Sequence, residues 1–198
     1  MLSAPITVLL LVANGIVSTV ALFSDPFLIQ RLGFRPARIR EHGEWYRFIT
    51  AGFVHVGLWH LAFNLFTLYS FGPALESRLG AWGFLILYVG SELSAHALTW
   101  WLQRNNKRYN AVGASGAISG VLFGYCLFEP FNLLYLFGAV PIPAFLFAIC
   151  FVVISAWSMR DSRRIAHEAH LGGALGGLLI TILLYPDVLL TFLRHFGL

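Results

Sequence analysis

Six long stretches of this chain are almost free of charge, and their lengths limit its possible folds more than any other property. Met1–Ser24, Phe48–Leu75, Tyr109–Phe128, Phe131–Met159 and Ala169–Pro186 contain no Asp, Glu, Lys or Arg, and Leu79–Gln103 contains only Glu92. About 20 apolar residues in helical form cross the ~30 Å hydrocarbon core of a bilayer. A helix also satisfies its own backbone hydrogen bonds, as lipid demands. The pattern therefore predicts an all-α membrane protein, a bundle of six transmembrane helices at about 5–23, 58–75, 82–103, 115–128, 141–159 and 168–185. An even number of crossings leaves both termini on one side. Composition agrees: 11% of the residues are charged, against about 25% in soluble domains. We read the 198 residues as one integral membrane domain, 1–198, with no soluble terminal domain attached.

The first span lacks the basic start of a secretory signal peptide and outruns its usual apolar core. Cys126 and Cys150 both fall within predicted spans, so each reads as a small buried hydrophobe rather than half of a disulfide or a zinc ligand. The net charge of +4 comes without a dense basic block. That argues against nucleic acid as a partner and for the lipid bilayer surface. Between spans one and two lies a long first loop, residues 24–56. Its arginines (Arg31, Arg35, Arg38, Arg40) alternate with apolar Phe27, Leu28, Leu32, Phe34 and Ile39, the pattern of an interfacial segment. Trp45 and Tyr46 suit headgroup depth.

Glycine spacing predicts how the spans meet. Gly116, Gly120 and Gly124 share one face of span four, and Gly173 and Gly177 share one face of span six. Small residues every four positions let membrane helices approach closely. At the mouths of these faces stand Ser115, in Gly113-Ala114-Ser115-Gly116, and His170, in Ala169-His170-Leu171-Gly172-Gly173. A serine hydroxyl needs a base within hydrogen-bond reach to act as nucleophile, and histidine is the usual one. Of the nine carboxylates, Glu92 alone is expected well inside a span, and Glu168 is expected to point away from His170. A Ser–His dyad without a third acid is the reading. Acyl transfer also needs oxyanion donors. His60 and Asn64, four apart on span two, and the backbone N–H of Ser115 are the candidates. His55 is placed to tie the first loop to the bundle.

Other chemistries fit less well. His167-Glu168-Ala169-His170 is not the His-Glu-x-x-His of a metalloprotease, and its imidazoles are expected on different faces; no metal or other cofactor is expected. Lys107 lies in a polar joint, unsuited to a Ser–Lys dyad. Glu92 with His96, four residues on, reads as a structural pair facing the bundle. A transporter or haem-binding bundle using His60, His96 and His170 would leave the serine motif idle.

Taken together these motifs resemble the rhomboid family of intramembrane serine proteases. The resemblance rests on His55-x-x-x-x-His60-x-x-x-Asn64, on Gly113-Ala114-Ser115-Gly116, and on Ala169-His170-Leu171-Gly172-Gly173-x-x-x-Gly177. Tyr46-Arg47 resembles the family's Trp-Arg signature with the aromatic changed, and Glu76-Ser77-Arg78-Leu79-Gly80 also matches. It implies a recessed span four and Ser115 in a water-filled cavity. His170 would be the base, and His60, Asn64 and Ser115 N–H would hold the oxyanion. Span five, with Phe145, Phe147, Phe151 and Trp157, would be a lateral gate. Transmembrane proteins would be the substrates, cut in or near the membrane. The alternative within the fold is a catalytically silent binding or escort protein. One departure is Ser119, where some relatives carry an aromatic against the catalytic imidazole. Eleven of the 13 Lys and Arg fall on the dyad's side, and a plain positive-inside count would turn that side to the cytoplasm. The resemblance implies the opposite, a multi-pass protein of a bacterial inner membrane whose site opens to the extracytoplasmic side. We follow it, because interfacial arginines are poor topology signals. The sequence leaves oligomeric state open.

Overall fold

The structure is a computed structural model describing residues 4–136, 139–150 and 167–197. Helix α1 (Pro5–Phe23) leads into three short helices, α2 (Phe27–Leu32), α3 (Pro36–His42) and α4 (Arg47–Thr50), then a 3-10 turn (Ala51–Phe53). Helix α5 (Leu58–Gln103) and helix α6 (Ser115–Phe128) follow. A hairpin of β1 (Leu133–Leu136) and β2 (Val140–Pro143) precedes a helical stretch, α7, at 144–150. Helices α8 (His167–Leu184) and α9 (Val188–Arg194) close the chain. The remainder of predicted span five, 151–159 with Phe151 and Trp157, lies outside the described residues.

Helix α5 consists of two helical arms, as expected for spans two and three, but the break is confined to the last residue of the 76–80 segment between them. Its 46 residues are interrupted at Gly80 alone, with φ 72° and ψ 168°, a conformation that glycine adopts without Cβ strain. The arms 58–79 and 81–103 fold back on each other: Leu75 and Leu87 both approach Gly124, and Glu92 meets Gly52 before the first arm. The joint is shorter than expected because Glu76 is not a loop residue. It is buried, and its carboxylate accepts the N–H groups of Ile6 and Thr7 (2.8 and 2.7 Å) and the Thr7 hydroxyl (2.7 Å). It thus caps the orphan donors that begin α1. Arg78, two residues on, pairs with Glu129 past the end of α6 and lies over the Phe128 ring.

A second correction concerns Pro141-Ile142-Pro143, where the fifth span at 141–159 is expected to begin as a helix. It is β2, paired antiparallel with β1, Leu134 opposite Ile142. Residues preceding proline are pushed toward extended backbone. Val140 and Ile142 both precede one, so the strand wins and the helix begins at residue 144. A two-stranded hairpin tolerates prolines because each strand has an unpaired edge.

Helix α6 is the centre. All thirteen residues from Gly116 to Phe128 are buried, and at 1.5 Å per residue its 14 residues rise about 21 Å, less than a full bilayer crossing. The arms of α5 and helix α8 surround it. Helix α8 is inverted relative to a water-soluble helix. Gly173 and Gly177 face inward, while Leu175, Leu179 and Leu183 stand 53–68% exposed at four-residue spacing. Helices α1 and α8 are each long and apolar enough to cross a membrane. Cys126 is buried as expected, but Cys150 is exposed; an outward position on a membrane helix is apolar without being covered by protein.

Candidate functional site

The depth at which Ser115 and His170 meet is set by glycine. A Cβ on Gly173 would lie 2.0 Å from the Gly116 carbonyl oxygen, and one on Gly177 would lie 2.2 Å from the Gly120 Cα. Backbone therefore touches backbone at two successive levels of the α6–α8 crossing. One turn above that crossing the first residue of α6 faces the first turn of α8, and His170 Nε2 stands 2.8 Å from Ser115 Oγ. Both residues are half-buried, so the pair is sheltered but reachable.

Glu168 does not join them. It is buried and accepts a hydrogen bond from Gln103 Nε2 at 3.0 Å. His167 is nearer than the sequence implied: its ring centroid is 6.1 Å from that of His170, since residues three apart lie on adjoining turns of one face. Ser119 donates back to the Ser115 carbonyl at 2.7 Å and stays on its own helix.

The turn before α6 can be followed donor by donor. Gly113 N–H bonds Ala51 O (2.9 Å), and Ala114 N–H bonds His55 Nε2 (3.4 Å). Ala117 N–H bonds Glu92 Oε2 (3.0 Å), and Ile118 N–H makes the first intrahelical bond, to Ala114 O. Among the described residues the N–H groups of Ser115 and Gly116 have no acceptor, the usual condition of a helix start. Since Nε2 of His55 accepts, its proton sits on Nδ1 and points to Ser18 Oγ at 2.7 Å; that hydroxyl in turn donates to Phe53 O. His55 thereby joins α1, the first loop and the serine turn.

His60 leans over this turn. Gly113 has φ 113°, and a Cβ there would fall 2.5 Å from His60 Cε1, so the residue must be glycine for two reasons at once. His60 also packs edge-on to His55, 4.9 Å between centroids. One turn further along α5, Asn64 is buried with its Nδ2 lacking any partner among the described residues. A buried amide donor left open costs free energy, and it leaves Nδ2 available to an acceptor that the described residues do not supply.

His96 lies apart from this group. Its Nδ1 donates to Phe48 O at 2.8 Å and its ring stacks on Phe34 at 4.2 Å, so it fastens the first loop to α5. Arg47 does similar work from within the loop. It is buried, with Nε on Glu44 (2.6 Å) and Nη1 on the carbonyls of Gln30 (3.0 Å) and Gly33 (2.6 Å). Glu92 is the residue the sequence reading undervalued. The expected pairing with His96 is present, His96 Nδ1 lying 3.6 Å from Oε1, yet among the described residues the hydrogen bond of Glu92 is to the helix carrying Ser115. Only the three-dimensional path of α5 past α6 could reveal that. A cavity of about 120 Å³ between α1, the 3-10 turn and α5 is lined by Leu10, Gly52, Tyr88 and Glu92 among others; it is apolar and does not include the dyad.

The Rhomboid domain family matches residues 42–187. The "Putative rhomboid protease YdcA" of Bacillus subtilis (strain 168) is 37% identical over 142 residues, 72% of this chain and 68% of that protein. "Rhomboid protein 1, mitochondrial" of Saccharomyces cerevisiae is 34% identical over 140 residues, 66% of this chain and 39% of that protein. "Rhomboid protease GluP" of Bacillus subtilis is 34% identical over 90 residues, 46% and 17% respectively. The chain thus spans about two thirds of the first relative and less than half of the other two.

Proposed function

The chain belongs to the rhomboid family, an integral membrane family whose members are mostly serine proteases and include inactive ones, and from that premise we propose that it is an active intramembrane serine endopeptidase. The observation that carries the proposal is the 2.8 Å approach of His170 Nε2 to Ser115 Oγ. An inactive member needs no such pair. Ser115 would donate its proton to Nε2 as its oxygen attacks the scissile carbonyl, and His170 would return the proton to the departing amine. Negative charge would develop on the former carbonyl oxygen. Ser115 N–H, Asn64 Nδ2 and His60 are the donors proposed to receive it. Water would then release the acyl group from Ser115.

The substrates proposed are transmembrane proteins, cleaved in or near their membrane segments. Residues 1–198 would form one domain of six spans, the arms of α5 counting as two and α7 opening the fifth. The elements between α1 and α5 would lie at the membrane interface. We also propose a bacterial inner-membrane location with the dyad end facing outward. The contrary arginine count rests largely on the first loop, whose short helices α2 and α3 carry Arg31, Arg38 and Arg40 and would lie along the interface, where arginines are poor topology signals.

A fluorophosphonate probe tests the proposal against the escort alternative. Wild-type protein should be labelled at Ser115, and the His170→Ala variant should lose labelling while remaining folded. A folded wild-type protein that never takes up the probe would favour the silent alternative.

A further inference from the structure

We propose that Glu92 is a positioning residue for the nucleophile, holding the first turn of α6 so that the N–H groups of Ser115 and Gly116 alone stay open to the substrate. The inference rests on the protease reading and deepens it. Glu92 lies on the second arm of α5, 4% exposed, and its Oε2 accepts the Ala117 N–H at 3.0 Å. Ala117 is the third residue of α6, two beyond Ser115. From the other side His55 Nε2 takes the Ala114 N–H. The two acceptors bracket the catalytic turn, each consuming a donor that could otherwise swing toward solvent or a wrong partner.

The carboxylate is also confined from three directions. A Cβ on Gly116 would stand 3.1 Å from Oε2, and one on Gly52 would stand 2.5 Å from Oε1. His96 Nδ1, bonded to Phe48 O, is 3.6 Å from Oε1. The first loop therefore presses on one oxygen while the other holds the serine helix. Displacing reacting groups by about 1 Å can cost on the order of 10² in rate, so loss of this contact should fall on turnover rather than on substrate affinity.

Three variants and one exchange measurement decide it. Glu92→Gln keeps an acceptor oxygen and should retain kcat within about 3-fold. Glu92→Leu fills similar space without an acceptor and should lose about 10- to 100-fold in kcat with KM nearly unchanged. Gly52→Ala, which pushes on Oε1 from the loop, should lower kcat in the same sense. Equal loss in Glu92→Gln and Glu92→Leu, or a change confined to KM, would overturn the proposal. Amide hydrogen exchange in the wild-type protein supplies a test independent of any variant and of catalysis. Ala117 should exchange at least about 10-fold more slowly than Ser115 and Gly116, as its hydrogen bond requires. Equal exchange at the three amides would overturn it even if the enzyme cleaves substrate normally.

Discussion

Two junctions position the site, and they are built from opposite materials. The α6–α8 crossing is bare backbone: Gly116 on Gly173 and Gly120 on Gly177, with no side chain between. The fastening of the first loop relies on side chains instead: Arg47 on three acceptors within the loop, His96 of α5 between Phe34 and the Phe48 carbonyl, His55 on Ser18 and Ala114. Close backbone contact fixes distance because nothing in it can yield. A hydrogen-bonded junction fixes orientation and can be released by changing one partner. The Ser115–His170 pair is set across the first kind of junction, and the turn that leads into Ser115 is trimmed by the second.

The largest break should come at the glycines. Gly173→Val places a branched side chain where a Cβ alone would already lie 2.0 Å from a carbonyl, and we expect at least about 3 kcal/mol of destabilisation, read as loss of a cooperative melt in detergent. Arg47→Met should cost less, about 1–3 kcal/mol. It strands the carbonyls of Gln30 and Gly33 but leaves the α6–α8 crossing intact, so the two variants together separate the junctions. A milder release uses acid. The Arg38 hydrogen bond, followed by that of Arg47, holds Glu44 at about 2, below its ordinary 4.5. That stabilisation is complete above about pH 4.5 and is lost as pH falls through about 2. Trp45 fluorescence should report loop release in that window, and Glu44→Gln should flatten the transition. The smallest effect should be Ser119→Ala. Its hydroxyl bonds only its own helix, so stability should change by no more than about 0.5 kcal/mol and cleavage by less than about 2-fold.

These contrasts also explain what could be read from the sequence. The backbone junction was legible because glycine every four residues has one dominant meaning in an apolar helix. The bounds of α1 and α6 were legible too, marked by Pro5 and by the glycine turn at Gly113. Side-chain junctions were harder. Glu76 looked like a loop carboxylate because its role as cap for α1 spans 69 residues of sequence. Glu92 was legible as a neighbour of His96, which lies 3.6 Å away, but not as the acceptor for Ala117, because spacing along one helix is visible and a neighbouring helix is not. Pro141 carried two valid signals, helix start and extended backbone, and pairing with Leu133–Leu136 decided between them.

The central claim is that Ser115 and His170 form a working pair. Purified protein reconstituted in vesicles with a model transmembrane substrate offers the most direct measurement, the initial cleavage rate of wild type, Ser115→Ala and His170→Ala. The account predicts that both variants keep the wild-type melting temperature and fall by about 10⁴-fold or more, to background. Cleavage by folded Ser115→Ala protein at a rate near wild type would contradict it.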